Sequence, residues 1–202
     1  MTLRLAILGD SIAYGIGAAR SQDNLAHLLA ADLAAAGVAA TPRVFAVPGA
    51  RSSGLAAQVR SARAWHPDLA VIVIGANDLT RLVPPAQAAA DLGTAVRELR
   101  AAGTETIVAP APDLSVIPHV PPALRGIVQL GSARLREAQA AAVRAAGGRI
   151  ADPDGIASAA FARDPALFSA DRFHPSSAGY AVIAAAVAPA VRAAVAQRRT
   201  AG

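Results

Sequence analysis

Six consecutive apolar residues, Leu69–Ile74 (LAVIVI), set the strongest limit on how this chain folds. Four of the six are β-branched, and the run is bounded by Pro67-Asp68 before it and Gly75 after it. A strand with one wet face alternates apolar and polar residues. A run without polar positions belongs to a strand covered on both faces, as in a parallel sheet between two helical layers. The rest of the chain repeats the same unit. Strands are expected at Leu3–Leu8, Arg43–Val47, Thr104–Ala109 and Arg149–Ala151. Helices are expected at Ser21–Ala36, Ser53–Ala64, Pro85–Ala102, Ala123–Ala146 (with a break near Gly131) and Ser176–Ala196. Asp23 stands near the start of the first helix, and Gly37 stands just past its end. Alternating strands and helices predict a doubly wound α/β fold with right-handed crossovers. With 202 residues and no long linker or internal repeat, one domain covering 1–202 is expected, with a short tail from about residue 197.

Hydrophobic residues make up 54% of the chain but aromatic ones only 3%, so the apolar content is largely alanine and small aliphatics. That suits helices packed closely on a sheet and leaves no aromatic platform for stacking bases. The net charge is +5, and every basic residue is an arginine. The arginines are scattered along the chain, which reads as a solvated surface and argues against a nucleic-acid partner. The absence of cysteine excludes disulfides and thiolate catalysis. The segment Leu3–Leu8 is too short for the apolar part of a signal peptide and reads as a first strand; a cytoplasmic location is expected. The apolar stretch Ala178–Val191 is short for a bilayer span and contains Pro189, so no membrane span is expected.

Ligands of an open parallel sheet bind outside the carboxyl ends of its strands. The residues just past each strand are therefore informative. The first strand leads to Gly9-Asp10-Ser11, the second to Pro48-Gly49, the third to Gly75-Ala76-Asn77-Asp78, and the fifth, after an irregular stretch, to Asp171-Arg172-Phe173-His174-Pro175. These residue types suit acyl transfer. A serine needs a neighbouring base to become a nucleophile, and histidine is the usual base. A carboxylate fixes the imidazole. Backbone N–H groups and an asparagine amide can stabilise an oxyanion.

The segment GDSIAYGIGA resembles the first block of the SGNH, or GDSL-like, hydrolases. Gly49 in AVPGARS resembles the second block, GANDLT the third, and DRFHPSSAGY the last. The four occur in the family's order over nearly the whole chain. The resemblance implies a three-layer α/β/α fold with a five-stranded parallel sheet in the flavodoxin-like order 2-1-3-4-5. It implies Ser11 as nucleophile, His174 as general base and Asp171 as the residue that orients it. The Ser11 N–H, the Gly49 N–H and the Asn77 side chain would form the oxyanion hole. The expected activity is hydrolysis of carboxylic esters, thioesters and acetyl esters included, through an acyl-enzyme and without cofactor or metal. The expected partner is a small-molecule acyl ester. An acyltransferase using the same triad, or a flavodoxin-like binding module without catalysis, stays open. The first block departs from the family only in Ile12, where leucine is common.

Other residues have plainer readings. Asp10 is expected to cap a helix or hold the turn, and Asp78 to be structural. Ser52 and Ser53 are expected to cap a helix; ARSSG is a degenerate form of the G-x-S-x-G elbow. Gly15-Ile16-Gly17 lacks the third glycine of a dinucleotide-binding turn. Asp152-Pro153-Asp154-Gly155 reads as a turn, His66 as a turn residue, and His119 as a loop residue within reach of substrate. Arg51 and Arg81 come after the second and third blocks and are candidate contacts to an anionic substrate, with solvation at the surface an equal reading.

Overall fold

The computed structural model describes residues 2–152 and 154–200. Five parallel strands form its sheet: β1 (Leu3–Gly9), β2 (Ala40–Val44), β3 (Leu69–Val73), β4 (Glu105–Ala109) and β5 (Arg149–Ile150). Their order is β2-β1-β3-β4-β5, as expected. Successive side chains of a strand go to opposite faces, and on β1 and β3 both faces are buried. Leu5, Ile7, Leu69 and Val71 enter one core; Ala6, Leu8, Ala70 and Ile72 enter the other. The apolar run that predicted a doubly covered strand is thus divided evenly between two cores.

The first core is closed by α2 (Leu25–Ala35) and α8 (Ser177–Thr200). The second is closed by α3 (Leu55–Ala64), α5 (Pro85–Ala101) and α6 (Arg125–Ala145). Two short helices, α1 (Ser11–Tyr14) and α4 (Ala76–Thr80), come after β1 and β3, and α7 (Ile156–Arg163) comes after β5. By length and composition α8 is apolar enough to cross a membrane. It is a core helix here, with Tyr180, Val187, Val191 and Ala194 buried against the sheet and α2.

Several boundaries differ from expectation for physical reasons. The second strand begins at Ala40 and includes Pro42, opposite Leu5. It is an edge strand, where a missing N–H costs no ladder bond. Its ladder still continues past Val44, through Phe45 N–H to Ile7 O and Val47 N–H to Gly9 O. The first long helix is preceded by a 3₁₀ turn over Ser21–Asp23, and Asn24, which accepts from His27 N–H, is its cap. α6 runs unbroken through Gly131, a position where no neighbour crowds the backbone. The irregular stretch before Asp171 contains α7. The tail expected from about residue 197 is helical as far as Thr200. Arg198 is anchored by bonds to Gly103 O at 3.0 Å and to Asp68 Oδ1 at 3.3 Å. Residues 201 and 202, and Pro153 of the expected turn, lie outside the described residues.

Candidate active site

Of the described glycines, Gly9 at the exit of β1 has the closest neighbour. A Cβ on Gly9 would stand 1.8 Å from Val73 O, and Gly9 has φ of +134°, so glycine is required there. The close approach lets Asp10 N–H bond Val73 O at 3.1 Å. From α3, the buried Gln58 side chain accepts from Gly9 N–H at 2.8 Å and donates to Gly9 O at 2.9 Å. The chain then turns into α1. Asp10 caps it, its carboxylate accepting from Ile12 N–H at 2.9 Å, and Ser11 is the first helical residue. Burial pushes the Asp10 carboxyl up to about 7, against the pull of the Ile12 bond, with the negative charge of Asp78 adding to the rise. The capping role expected for Asp10 is therefore observed.

The loop after β2 is laced to α4. Ser52 donates its N–H to both Asp78 oxygens at 3.1 Å and its hydroxyl to Oδ2 at 2.9 Å. This corrects the expected role of Ser52 and Ser53: both lie inside a 3₁₀ turn whose N-cap is Arg51, the N-cap of α3 is Gly54, and the Ser52 polar groups are committed to Asp78. Asp78 is structural, as expected. Burial raises its pKa, while the Ser52 bonds and the Arg51 charge oppose the rise. A second glutamine repeats the device seen at Gly9. Gln139 of α6 accepts from Ala111 N–H at 2.8 Å and donates to Ile74 O at 3.2 Å, tying the ends of β3 and β4 together.

The His174 loop is organised around one carboxylate. Asp171 Oδ1 accepts from Ser169 Oγ, Phe173 N–H and His174 N–H, all at 2.8–2.9 Å, and Oδ2 lies 2.6 Å from His174 Nδ1. Partial desolvation would raise the Asp171 pKa, but the bonds from the His174 ring, the two backbone N–H groups and Ser169 together hold it well below the usual carboxylate range. His174 Nε2 lies 3.0 Å from Ser11 Oγ. The serine, histidine and aspartate singled out in the sequence thus form one continuous chain of polar contacts. The Phe173 ring meets the imidazole edge-on, with centroids 5.0 Å apart.

The turn after α1 supports this loop. A Cβ on Gly17 would stand 2.3 Å from Pro175 O, so this glycine is needed for close packing against the histidine loop. Beneath it, the buried Tyr180 donates its hydroxyl to Ile16 O at 2.8 Å. His119 Nε2 donates to Asp171 O at 3.0 Å, so this loop histidine braces the histidine loop. Gln58, Gln139, Ser169 and Tyr180 are the positioning residues that sequence reasoning did not single out. Each acts on a residue distant in sequence or through a loop conformation, and none carries a local motif.

Among the described residues, no acceptor is bonded to the Ser11 N–H, the Gly49 N–H or the Asn77 side-chain amide. They sit on three neighbouring loops, after β1, β2 and β3. Those loops are joined by the Val47–Gly9, Asp10–Val73 and Ser52–Asp78 bonds. Arg51 and Arg81 are exposed on the same edge, and neither is hydrogen-bonded to any of these groups. No group of three or more His, Cys, Asp or Glu residues suited to a metal is found among the described residues.

An apolar cavity of about 80 Å³ is lined by residues that neighbour the site in sequence. Its walls include Ile12, Ala76 and Phe173, each next in sequence to Ser11, Asn77 or His174, with Ile117, Phe168 and Ile183 behind them. A second apolar cavity, of about 60 Å³, adjoins it and shares Ile12 and Ile183 as walls.

A family model described as the GDSL-like lipase/acylhydrolase family matches residues 7–182. The chain is similar to a GDSL-like esterase of Mycobacterium tuberculosis, at 40% identity over 186 residues. The match covers 90% of this chain and 59% of that relative, so the chain spans less than two thirds of the relative's length. Among solved structures it is similar in fold to TesA, with a TM-score of 0.76 and 24% identity over 95% of this chain and 99% of that one. It is also similar to the psychrotrophic esterase EstA from Pseudoalteromonas sp., with a TM-score of 0.71 and 20% identity over 94% and 96% of the two chains. A catalytic mutant of Axe2, an acetylxylan esterase from Geobacillus stearothermophilus, gives 0.69 and 20% over 92% and 93%.

Proposed function

Because the chain belongs to the GDSL-like lipase/acylhydrolase family, we propose that it hydrolyses small carboxylic esters through an acyl-enzyme on Ser11. The observation that carries this reading is the unbroken contact series Asp171 Oδ2–His174 Nδ1 at 2.6 Å and His174 Nε2–Ser11 Oγ at 3.0 Å. Supporting it are three unused donors on the loops around the serine and the esterase named among its relatives.

In the first step Ser11 Oγ attacks the ester carbonyl carbon while His174 Nε2 takes the hydroxyl proton. Asp171, held ionised by its hydrogen bonds, keeps Nδ1 protonated and stabilises the imidazolium. The carbonyl oxygen becomes an oxyanion and is met by the Ser11 N–H, the Gly49 N–H and the Asn77 amide. The intermediate collapses: the C–O bond to the alcohol breaks, and the alcohol leaves with the proton from Nε2. Water then repeats the sequence on the acyl-serine, giving the carboxylic acid and free Ser11. The acyl chain occupies the apolar cavity walled by Ile12, Ala76 and Phe173.

Turnover of a short-chain aryl ester by the wild type and by Ser11→Ala tests this reading. Loss of turnover with an unchanged thermal unfolding curve is expected; retained turnover in the purified variant rejects it. Product analysis with an added alcohol separates hydrolysis, which yields free acid, from acyl transfer, which yields a new ester.

A further inference from the structure

Exposed large apolar side chains are common on soluble proteins and mean little singly. Their placement is what counts in this chain. Among the described residues, every one of them lies on a segment that comes after the carboxyl end of a strand. Tyr14 comes after β1, Val47 after β2, Leu82 after β3 and Ile156 after β5; Leu124, Ile127 and Leu130 come after β4. The opposite edge of the sheet carries none. Leu82 is 89% exposed and Ile127 70%.

The first turns of α6 make this edge protrude. Leu135 packs beside Ala111, two residues past β4, and Gln139 is bonded to Ala111 N–H and Ile74 O. The level of the strand ends therefore lies near Leu135. The ten residues before it rise about 15 Å beyond the sheet at roughly 1.5 Å each. Val128 turns inward onto the cluster of Leu114 and Ile117, so Leu124, Ile127 and Leu130 face out.

The same edge is basic. Arg51, Arg81, Arg125 and Arg172 are exposed there, and none is in an ion pair among the described residues. Of the nearby acids, Asp23 is paired with Arg20, Asp171 is committed to His174, Asp164 caps Ala166 N–H, and Asp154 and Asp164 are the exposed carboxylates without an ion pair, two against four arginines.

We infer that this edge docks on an anionic lipid surface, bringing the mouth of the site to the interface. The apolar side chains stand at separated points and different heights and do not line one groove. A fluid interface accepts such points without shape complementarity, whereas a folded partner needs a matched face. Four unpaired arginines complement acidic headgroups and would repel one another across an interface between two copies of this chain. Apolar points with a basic surround are the arrangement of interfacial helices.

Sedimentation of the full chain with extruded vesicles tests this, and it does not depend on Ser11 being the nucleophile. One vesicle set is phosphatidylcholine alone; the other is phosphatidylcholine and phosphatidylglycerol in equal amounts. The chain is expected to pellet with the anionic set and to be released by salt. The Ile127→Gln/Leu130→Gln double variant and Arg125→Glu should each weaken that binding about tenfold or more. Both should keep the wild-type thermal unfolding curve, since these side chains touch no core. Failure to pellet with anionic vesicles overturns the inference, as does equal binding to phosphatidylcholine alone or unchanged binding by the folded double variant. So does a wild-type dimer in sedimentation equilibrium that the double variant converts to monomer, because the patch would then be a contact between copies.

Discussion

Ile183 is a wall of both apolar cavities near the site, and truncating it should change which acyl chain the site prefers. The first cavity, of about 80 Å³, has about half the volume of an engineered apolar cavity of roughly 150 Å³ that takes the six carbons of benzene. It therefore holds about three carbons beyond the carbonyl, a butyryl group. From acetyl to butyryl, two methylenes are buried at about 0.8 kcal/mol each. That is about 1.6 kcal/mol, or roughly 15-fold in kcat/KM. Longer chains overfill the space, and forcing extra methylenes into a packed pocket costs about 1–3 kcal/mol, so octanoyl should fall well below butyryl. With Ile183→Ala the second cavity, of about 60 Å³, joins the first, and the preference should move to hexanoyl or longer. Truncation of this half-buried side chain should cost about 2 kcal/mol of stability. The assay is initial rates on p-nitrophenyl esters from acetyl to decanoyl, kept below their micellar concentrations. An optimum at eight or more carbons in the wild type would refute the reasoning, as would a profile that Ile183→Ala leaves unmoved.

Asp171→Asn keeps acceptors for the Phe173 and His174 N–H groups but presents an amide to Nδ1. It should lower kcat by about 10²–10⁴ with little change in the unfolding curve; steady-state kinetics with calorimetry check both. Asn77→Ala should lower kcat by about 10²–10³, with a smaller change in KM, because its amide serves the oxyanion and not the ground state. Asp10→Asn should change how stability depends on pH. The folded carboxyl titrates at about 7 against an ordinary value of 3.8. The folded state thus keeps a proton that the unfolded chain loses in between. Its contribution to stability is full below about pH 4 and is lost as pH rises to about 7, with an upper bound of about 4 kcal/mol. Urea denaturation across that window should show a steeper fall in the wild type than in Asp10→Asn; parallel curves contradict the assignment.

The strands and both helical layers were legible because they rest on periodicity: LAVIVI has no polar position, and the first three strands run out into glycine or proline near a polar cluster; the strand order came only with the family resemblance. The site residues were legible because each lies beyond a strand end, where the topology must gather them. What escaped was held by distant partners. Ser52 looked like a helix cap, but it is claimed by Asp78, 26 residues away. Gln58 and Gln139 look like ordinary helical residues in sequence, and only the structure shows them bonded to backbone groups 49 residues away for the first and 28 and 65 for the second. The second strand starts at Ala40, ahead of the expected Arg43, because an edge strand accommodates Pro42. α7 lies between turn-rich segments, and its short apolar pattern IASAAFAR gives little periodic signal. The cavity walled by Ile12, Ala76 and Phe173 is formed by several separate segments, so no local pattern announces it.

Labelling by a serine-directed fluorophosphonate, with mass spectrometry of the peptides, tests the central claim most directly. One adduct per chain on Ser11 is predicted, absent in Ser11→Ala and formed far more slowly in His174→Ala. A chain that stays unlabelled, that is labelled at Ser52 or another serine, or that reacts at the wild-type rate without His174 would contradict the account.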